Sequence, residues 1–194
     1  MLQVILDVET KKTFDAVGGF FPDRLGVSFV GVCVREGVSG EGKMQSYFEK
    51  DLPKLFELLE RADVVIGFNV DGFDMQTFSS YYQGDITAIP TLDLMLRIKD
   101  SVGHRISLDA AAQETLGIGK TGDGLDAIKY YERQQWDELE KYCLQDVKVT
   151  RDLYDYGLSK GKVKFKNKWN RLIEASVDFS FKPKKNAGVQ MSLL

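Results

Sequence analysis

Residues 2–9 read LQVILDVE, and this stretch decides the fold. The short, largely apolar run over residues 2–6 is typical of a buried β-strand. Asp7 and Glu9 follow it two residues apart, so in an extended chain their side chains project from the same face. Because burying an unpaired charge is costly, two carboxylates at the end of a buried strand indicate a functional role. One metal ion can reach both.

Two further acidic motifs lie in order along the chain. Residues 69–74 read NVDGFD, and residues 142–146 read YCLQD. If Asp74 and Asp146 join the first pair, four carboxylates gathered at one point would hold two divalent cations. Ligation by oxygen alone suits Mg²⁺ or Mn²⁺, whereas zinc prefers His or Cys.

The third motif lies on the strongest helical pattern of the sequence, over residues 137–156, which Gly157 is predicted to end. Tyr142 and Asp146 are four residues apart, so the phenol lies one turn from the carboxylate on the inward side. An acid within an apolar stripe is unusual. Taken alone, it would favour an ion pair with a buried Arg or Lys.

The remaining pattern predicts an α/β fold with a mixed sheet and helices on its faces. Two strands follow the first as a meander, which favours antiparallel pairing. Strands and helices then alternate, which favours parallel pairing. The predicted strands cover residues 25–35, 43–48, 62–68 and 91–94, and the predicted helices cover residues 52–59, 72–82 and 107–116, the last with Ser107 as its N-cap and Gly117 as its stop.

Length and composition fit a single domain with a tail. The chain has 194 residues and is 43% hydrophobic, which is enough for a sizeable core. It shows neither a long apolar stretch nor a cleavable leader, so we expect a soluble, cytoplasmic protein. Cys33 and Cys143 lie in apolar patterns and are predicted to be buried free thiols, not a disulfide or a zinc site.

Together the three motifs resemble those of the DEDD (DnaQ-like) 3′→5′ exonuclease superfamily, which has a ribonuclease H-like fold. The resemblance spans about residues 1–160, and residues 108–110 (LDA) and 115–117 (TLG) look like its tyrosine-bearing branch. It implies a five-stranded sheet, with three antiparallel strands followed by parallel ones, and a two-metal-ion phosphodiester hydrolase. Short motifs recur by chance, but their order and spacing here make the resemblance specific.

The resemblance also implies roles for particular residues. Asp7 would bridge both ions, while Tyr142 would orient the attacking water, since a phenol is a poor base at neutral pH. Asn69 would cap the turn before the second acidic motif's helix. Phe73 would pack in the core or against the terminal base. The full set of metal ligands would be Asp7, Glu9, Asp74 and Asp146.

One competing assignment exists, because another branch of the superfamily uses His-x-x-x-x-Asp, and His104 and Asp109 have that spacing. They precede the last helix, where the family places this motif, so we favour Tyr142 and Asp146. Asp109 is better explained as a first-turn acid facing the helix dipole. Asp93 ends a strand near the expected site, but helix capping explains it equally well.

Charge is distributed unevenly along the chain. The formal net charge is −3, yet nine Lys or Arg and two acids lie between residues 160 and 185. Within this segment Lys162, Lys164 and Lys166 alternate with mostly apolar residues, as in a strand with one cationic face. Such a strand is either an edge protected from aggregation or a row of lysines that tracks the phosphates of a nucleic acid. Val163, Phe165 and Trp169 would share its other face.

The C-terminal residues 190–194 read QMSLL and resemble the bacterial sliding-clamp-binding pentapeptide. Two apolar anchors on a flexible tether could enter a hydrophobic pocket. The contacting residues would be Gln190, Met191, Leu193 and Leu194. The alternative is a frayed, mildly apolar terminus. The predicted organisation is therefore an exonuclease domain at residues 1–160, a basic extension at 161–180 and a flexible tail at 181–194.

The sequence predicts a metal-dependent 3′→5′ exonuclease for single-stranded ends, with DNA favoured by the clamp-like ending and recruitment to a clamp in replication or repair. Two alternatives stay open. One is a nucleic-acid-binding accessory module without turnover, and the other is a 3′→5′ exoribonuclease, because nothing in the sequence clearly detects a 2′-hydroxyl.

Overall fold

A central five-stranded sheet organises the chain in the computed structural model, which describes residues 1–119, 122 and 124–181. The strands are β1 (Leu2–Thr10), β2 (Val27–Glu36), β3 (Lys43–Phe48), β4 (Val64–Gly67) and β5 (Thr91–Asp93). They lie in the order β3-β2-β1-β4-β5. The first three strands pair antiparallel, whereas β4 and β5 add in parallel. The predicted ribonuclease H-like α/β architecture is confirmed.

Helices cover both faces of this sheet. They are α1 (Leu52–Arg61), α2 (Asp74–Phe78), α3 (Leu94–Val102), α4 (Leu108–Leu116), α5 (Gly124–Glu132) and α6 (Trp136–Lys160). None of the helices in the described residues is long and apolar enough to cross a membrane. As predicted, Ser107 caps α4 by accepting the backbone N–H of Ala110 at 3.2 Å, and Gly117 ends that helix in the left-handed region.

Alternation along β1 decides which face of the sheet carries the acids. Val4, Leu6 and Val8 point to one side and join the core cluster that includes α1. Ile5 points to the other side and joins the cluster that includes Leu153 of α6. Side chains of a strand alternate with period two, so Asp7 and Glu9 lie on the same side as Ile5. The acidic pair therefore faces α6.

The long helix α6 differs from its prediction, because it continues past Gly157 and ends at Gly161, which adopts φ +64°. Gly157 is inside the helix for a packing reason: a Cβ there would collide with the ring of Phe179. A glycine that admits a neighbouring ring has the same sequence signature as one that ends a helix. Helix α2 is also shorter than predicted, and α3 and α5 were not predicted.

The basic segment forms a hairpin of β6 (Lys162–Lys166) and β7 (Leu172–Ser176). Val163 and Phe165 are buried in the same core cluster as α6. Trp169 lies in the turn and is 69% exposed, so its predicted place on the strand, on one face with Val163 and Phe165, is wrong. Both cysteines are buried free thiols, as predicted.

Candidate active site

The site starts at the end of β1, where Asp7 and Glu9 emerge beneath α6. Glu9 is buried and Asp7 is partly exposed. One possible ligand atom from each of Asp7, Glu9 and Cys143 lies within 4.8 Å of the others. The two carboxyl groups are therefore close enough for the charge of Asp7 to raise the pKa of Glu9. The predicted same-face arrangement of this pair is confirmed.

Asp74 reaches the site from the first residue of α2 and is buried. The turn before it depends on Asn69, which adopts φ +71° and accepts the N–H groups of Gly72 and Phe73 through its backbone carbonyl. Asp93 fixes this turn by accepting the N–H groups of Asn69 at 3.0 Å and Asp71 at 3.2 Å. It also caps α3. Asp93 is therefore both a capping residue and a positioning residue for the second motif.

Tyr142 and Asp146 reach the site from α6, which lies close to the sheet because the residue opposite Asp7 on β2 is Gly31. A Cβ at Gly31 would lie 3.0 Å from the Cys143 sulfur and 3.1 Å from both Leu144 and Val147. The lack of a side chain at Gly31 thus allows α6 to pack this close to the sheet. The negative charge of Asp146 acts on both Asp7 and Glu9.

Burial and mutual repulsion control the protonation of this cluster. Burial, followed by the charge of Asp146, raises the pKa of Asp7 to about 7. Burial and the charge of Asp7 raise the pKa of Glu9 and of Asp74 well above their usual values. Close carboxylates share protons unless a cation compensates them. This all-oxygen set of carboxylates fits a hard divalent cation such as Mg²⁺ or Mn²⁺.

The pKa of Tyr142 is also raised, first by burial and then by the charges of Asp146, Glu9, Asp7 and Asp109. The phenol is therefore protonated at neutral pH. In that state its O–H can donate a hydrogen bond or hold a water molecule, but it cannot accept a proton as a general base.

A sequence model of the RNase H superfamily matches residues 4–157, which is most of the chain and contains all three acidic motifs. The chain belongs to the RNase H superfamily. No curated protein sequence matches it.

Two solved structures show the same superfamily fold. The family B DNA polymerase of the archaeon Pyrobaculum calidifontis matches 81% of this chain and 24% of its own, with a TM-score of 0.61 and 17% identity. The zinc-bound complex of Escherichia coli ExoI with single-stranded DNA matches 82% of this chain and 41% of its own, with a TM-score of 0.50 and 10% identity. The chain thus spans less than half the length of either protein.

In this member of the RNase H superfamily, Asn69 acts through its backbone, whereas Phe73 acts through its side chain. The side-chain oxygen of Asn69 is buried without a hydrogen-bond partner in the described structure, so its backbone, and not its side chain, shapes the turn. The ring of Phe73 packs edge-on against the ring of Phe14, with 6.0 Å between their centroids. The ring of Phe14 stacks on that of Phe20, with 4.7 Å between centroids. Phe20 is 63% exposed. We call Phe14, Phe20 and Phe73 the aromatic platform.

Sequence reasoning missed two features of the site. The first is Phe14 and Phe20, whose signal was a phenylalanine-rich connection directly after the first motif. The second is the contact of Cys143 with Asp7. The thiol lies 3.4 Å from the carbonyl oxygen of Asp7 and 3.6 Å from its carboxylate, and it accepts the Gly31 N–H at 3.2 Å. Burial and the charge of Asp7 raise the pKa of this thiol, so it stays protonated.

The two residues of the competing pair, His104 and Asp109, have different surroundings. The ring of His104 packs edge-on against Phe165 of β6 at 5.9 Å. Asp109 lies in the first turn of α4, as predicted, and its charge acts on Tyr142.

The predicted lysine row is paired with acids. Lys162 and Lys164 contact Glu174 at 2.8 and 3.5 Å, and Lys166 contacts Glu114 at 2.9 Å. The clamp-like residues 190–194 lie outside the described part of the chain.

Proposed function

We propose that this chain is a metal-dependent 3′→5′ exonuclease of the tyrosine-bearing DEDD type that hydrolyses single-stranded DNA from its 3′ end. The observation that carries the proposal is the meeting of carboxylates from β1, α2 and α6: the charge of Asp146 raises the pKa of Asp7 and Glu9, and the charge of Asp7 raises the pKa of Asp74. Membership of the RNase H superfamily and the fold shared with ExoI support a nuclease. The direction of cleavage comes from the three motifs.

Asp7, Glu9, Asp74 and Asp146 would hold two divalent cations, Mg²⁺ or Mn²⁺. When bound, such ions supply an activated water and stabilise negative charge on the phosphate and on the leaving oxygen. Cys143, behind Asp7, and Asp93, below the turn that carries Asp74, keep two of these carboxylates in place.

Tyr142 is assigned to orienting the water by its O–H, because its raised pKa removes it as a base at neutral pH. The aromatic platform adjoins Asp74 through Phe73 and offers an exposed ring in Phe20. Aromatic faces stack on bases of every sequence, so this platform suits a terminal base without sequence preference. The ExoI structure in complex with single-stranded DNA supports the same substrate class.

The deciding experiment is cleavage of 5′-labelled single-stranded DNA and RNA with Mg²⁺, Mn²⁺ or EDTA. We expect a metal-dependent ladder that shortens from the 3′ end, absent in Asp146→Asn and unchanged in Asp100→Asn, which alters an exposed acid on α3. Faster cleavage of RNA would instead assign an exoribonuclease. Folded protein that cleaves neither substrate would assign the accessory-module function.

We also propose that residues 190–194 bind a bacterial sliding clamp, which would bring the nuclease to replication or repair sites. The support is the QMSLL sequence alone. Deleting these residues is expected to abolish binding to the clamp while activity on free oligonucleotides is retained. Unchanged clamp affinity in the deletion would overturn this part of the proposal.

A further inference from the structure

A second region of the molecule has the composition of a nucleic-acid site. A groove of about 580 Å³ lies between the β6–β7 turn and the segment before α4. Its described lining contains four basic or imidazole side chains and two aromatic rings, and none of its described residues is acidic. These six are His104, Arg105, Phe165, Lys166, Lys168 and Trp169. We call it the turn groove.

Hydrogen bonds hold the turn in one shape. The Asn167 side-chain oxygen accepts the N–H groups of Trp169 at 3.0 Å and Arg171 at 3.1 Å. The backbone N–H of Asn167 in turn donates to the Arg171 carbonyl at 3.0 Å. The turn therefore presents the Trp169 ring outward, and that ring is 69% exposed. An indole held in water offers a large apolar face at little further entropic cost.

Lys168 of the turn groove differs from the lysine row, whose last member, Lys166, also lines the groove. Lys162 and Lys164 share Glu174, which offsets part of their charge, and Lys166 contacts Glu114. Lys168 instead places its ammonium 4.5 Å from the centre of the Trp169 ring. A base stacked on the other face of this ring would have its phosphate beside a cation. The turn, and not the lysine row, has the geometry of a nucleotide contact.

The turn groove also lies beside the candidate active site. Helix α4 joins the two regions, because it packs against α6, which carries Tyr142 and Asp146, and against β6, which leads into the turn. Ala110 in the first turn of α4 lines the groove, and the charge of its neighbour Asp109 acts on Tyr142. A strand that runs from the carboxylates along the N-terminal end of α4 would therefore reach Arg105 and the turn. Single-stranded substrate fits this arrangement, because its bases are available for stacking.

We propose that the turn groove binds single-stranded DNA on the 5′ side of the 3′-terminal nucleotide, with Trp169 stacking on a base and with Arg105 and Lys168 contacting phosphates. The position relative to the 3′ end rests on the proposed function. The binding itself does not, since it follows from charge and ring exposure.

The test is fluorescence anisotropy with 5′-fluorescein oligo(dT) of 4 and 16 nucleotides in EDTA, where metal-dependent cleavage is absent. Trp169→Ala is expected to raise the Kd for the longer oligonucleotide roughly tenfold and to leave the shorter one nearly unchanged. The double variant Arg105→Ala/Lys168→Ala is expected to reduce the slope of log Kd against log salt by roughly 1.4, which corresponds to two phosphate contacts on a single strand.

Two matched controls separate this contact from folding and from bulk charge. Leu172→Ala removes an exposed apolar side chain from the same hairpin, and Lys54→Ala removes an exposed cation from α1. Equal weakening by Leu172→Ala would attribute the effect to the hairpin fold and overturn the proposal. Unchanged Kd for the longer oligonucleotide in both groove variants, or equally tight binding of duplex DNA, would also overturn it. If the protein binds single-stranded DNA but does not cleave it in Mg²⁺ or Mn²⁺, only the nuclease assignment is rejected.

Discussion

Both ends of β1 lie beneath α6, but charge is paired with opposite charge at one end and faces like charge at the other. At its start, Gln3 is fully buried, accepts the Arg35 Nε–H at 2.8 Å and donates to the Tyr154 hydroxyl at 3.2 Å. Arg35 then forms a two-pronged ion pair with Asp155 of α6, at 2.7 and 2.9 Å. Buried charge at this end is matched by opposite charge and by hydrogen bonds.

At its other end, the same strand presents Asp7 and Glu9 to Asp146 of the same helix, and the charges that act on them come from further carboxylates. The two ends of β1 therefore have different roles. The Arg35 end fastens α6 to the sheet, and this attachment lets the acidic end hold carboxylates whose repulsion favours a cation.

The largest effect is expected on activity at the acidic end. Asp146→Asn is expected to lower kcat by at least about 10³-fold, since loss of a metal ligand removes several kcal/mol of transition-state stabilisation. Single-turnover cleavage of labelled single-stranded DNA measures this. The melting temperature without metal should not fall. A variant that keeps its kcat would exclude Asp146 from the site.

The second prediction concerns the paired end. Arg35→Ala is expected to lower the free energy of unfolding by roughly 3 kcal/mol, because it removes the cation paired with Asp155 and the donor to the side-chain oxygen of Gln3. Urea unfolding measures the change. Lys162→Ala, which breaks an exposed pair with Glu174, is the control and should cost much less, because solvent screens exposed pairs. Equal costs would mean that the buried pair has no special role.

The third prediction is a gain in stability at the acidic end. The pKa of Asp7 is raised to about 7 in the folded chain, so the native state binds more protons than the unfolded state below that pH. Stability of the metal-free protein should therefore fall as pH rises from about 4 to about 7. Asp7→Asn removes this loss and is expected to stabilise the metal-free protein by roughly 2 kcal/mol at pH 8, with little effect at pH 4.

Thermal unfolding across this pH range, with and without Mg²⁺, tests that expectation. Added Mg²⁺ should raise the melting temperature of the wild type at pH 8 and have a much smaller effect on Asp7→Asn. A destabilised Asp7→Asn protein at pH 8 would show that the carboxylate is compensated in the metal-free fold.

The smallest effect is expected at Gly31 of β2, which lies opposite Asp7 at the acidic end. Gly31→Ala places a methyl group against Cys143, Leu144 and Val147, and we expect a loss of about 1 kcal/mol in unfolding free energy. Gly119→Ala meets no atom within 4 Å and serves as the control. Denaturant midpoints compare the two. Equal stability of both variants would show that α6 can shift away from the sheet without cost.

The sequence predicted most of the sheet because each of its strands carries a clear local signal. The apolar run before Asp7 and the meander of β2 and β3 fix the antiparallel half, and alternation fixes the parallel half. The four carboxylates could be nominated for the same reason, since their motifs are local. The structure brings their elements together as expected, while their binding of metal remains a prediction.

Features that depend on long-range packing could not be predicted in this way. Gly157 suggested a helix end because the sequence does not show that Phe179 fills the space beside it. Trp169 fitted an alternating strand because nothing local marks the turn that Asn167 closes. The aromatic platform was missed for a similar reason, since Phe14 and Phe73 are far apart in sequence and meet only through the fold.

The packing of Phe179 against Gly157 has a consequence for the order in which the chain folds during synthesis. Helix α6 is complete at Lys160, yet the ring that covers its glycine and stacks on Tyr154 belongs to Phe179, nineteen residues later. A nascent chain emerges from the ribosome N-terminus first. Part of the buried side of α6 therefore stays exposed until the hairpin and Phe179 have been synthesised and have packed against it.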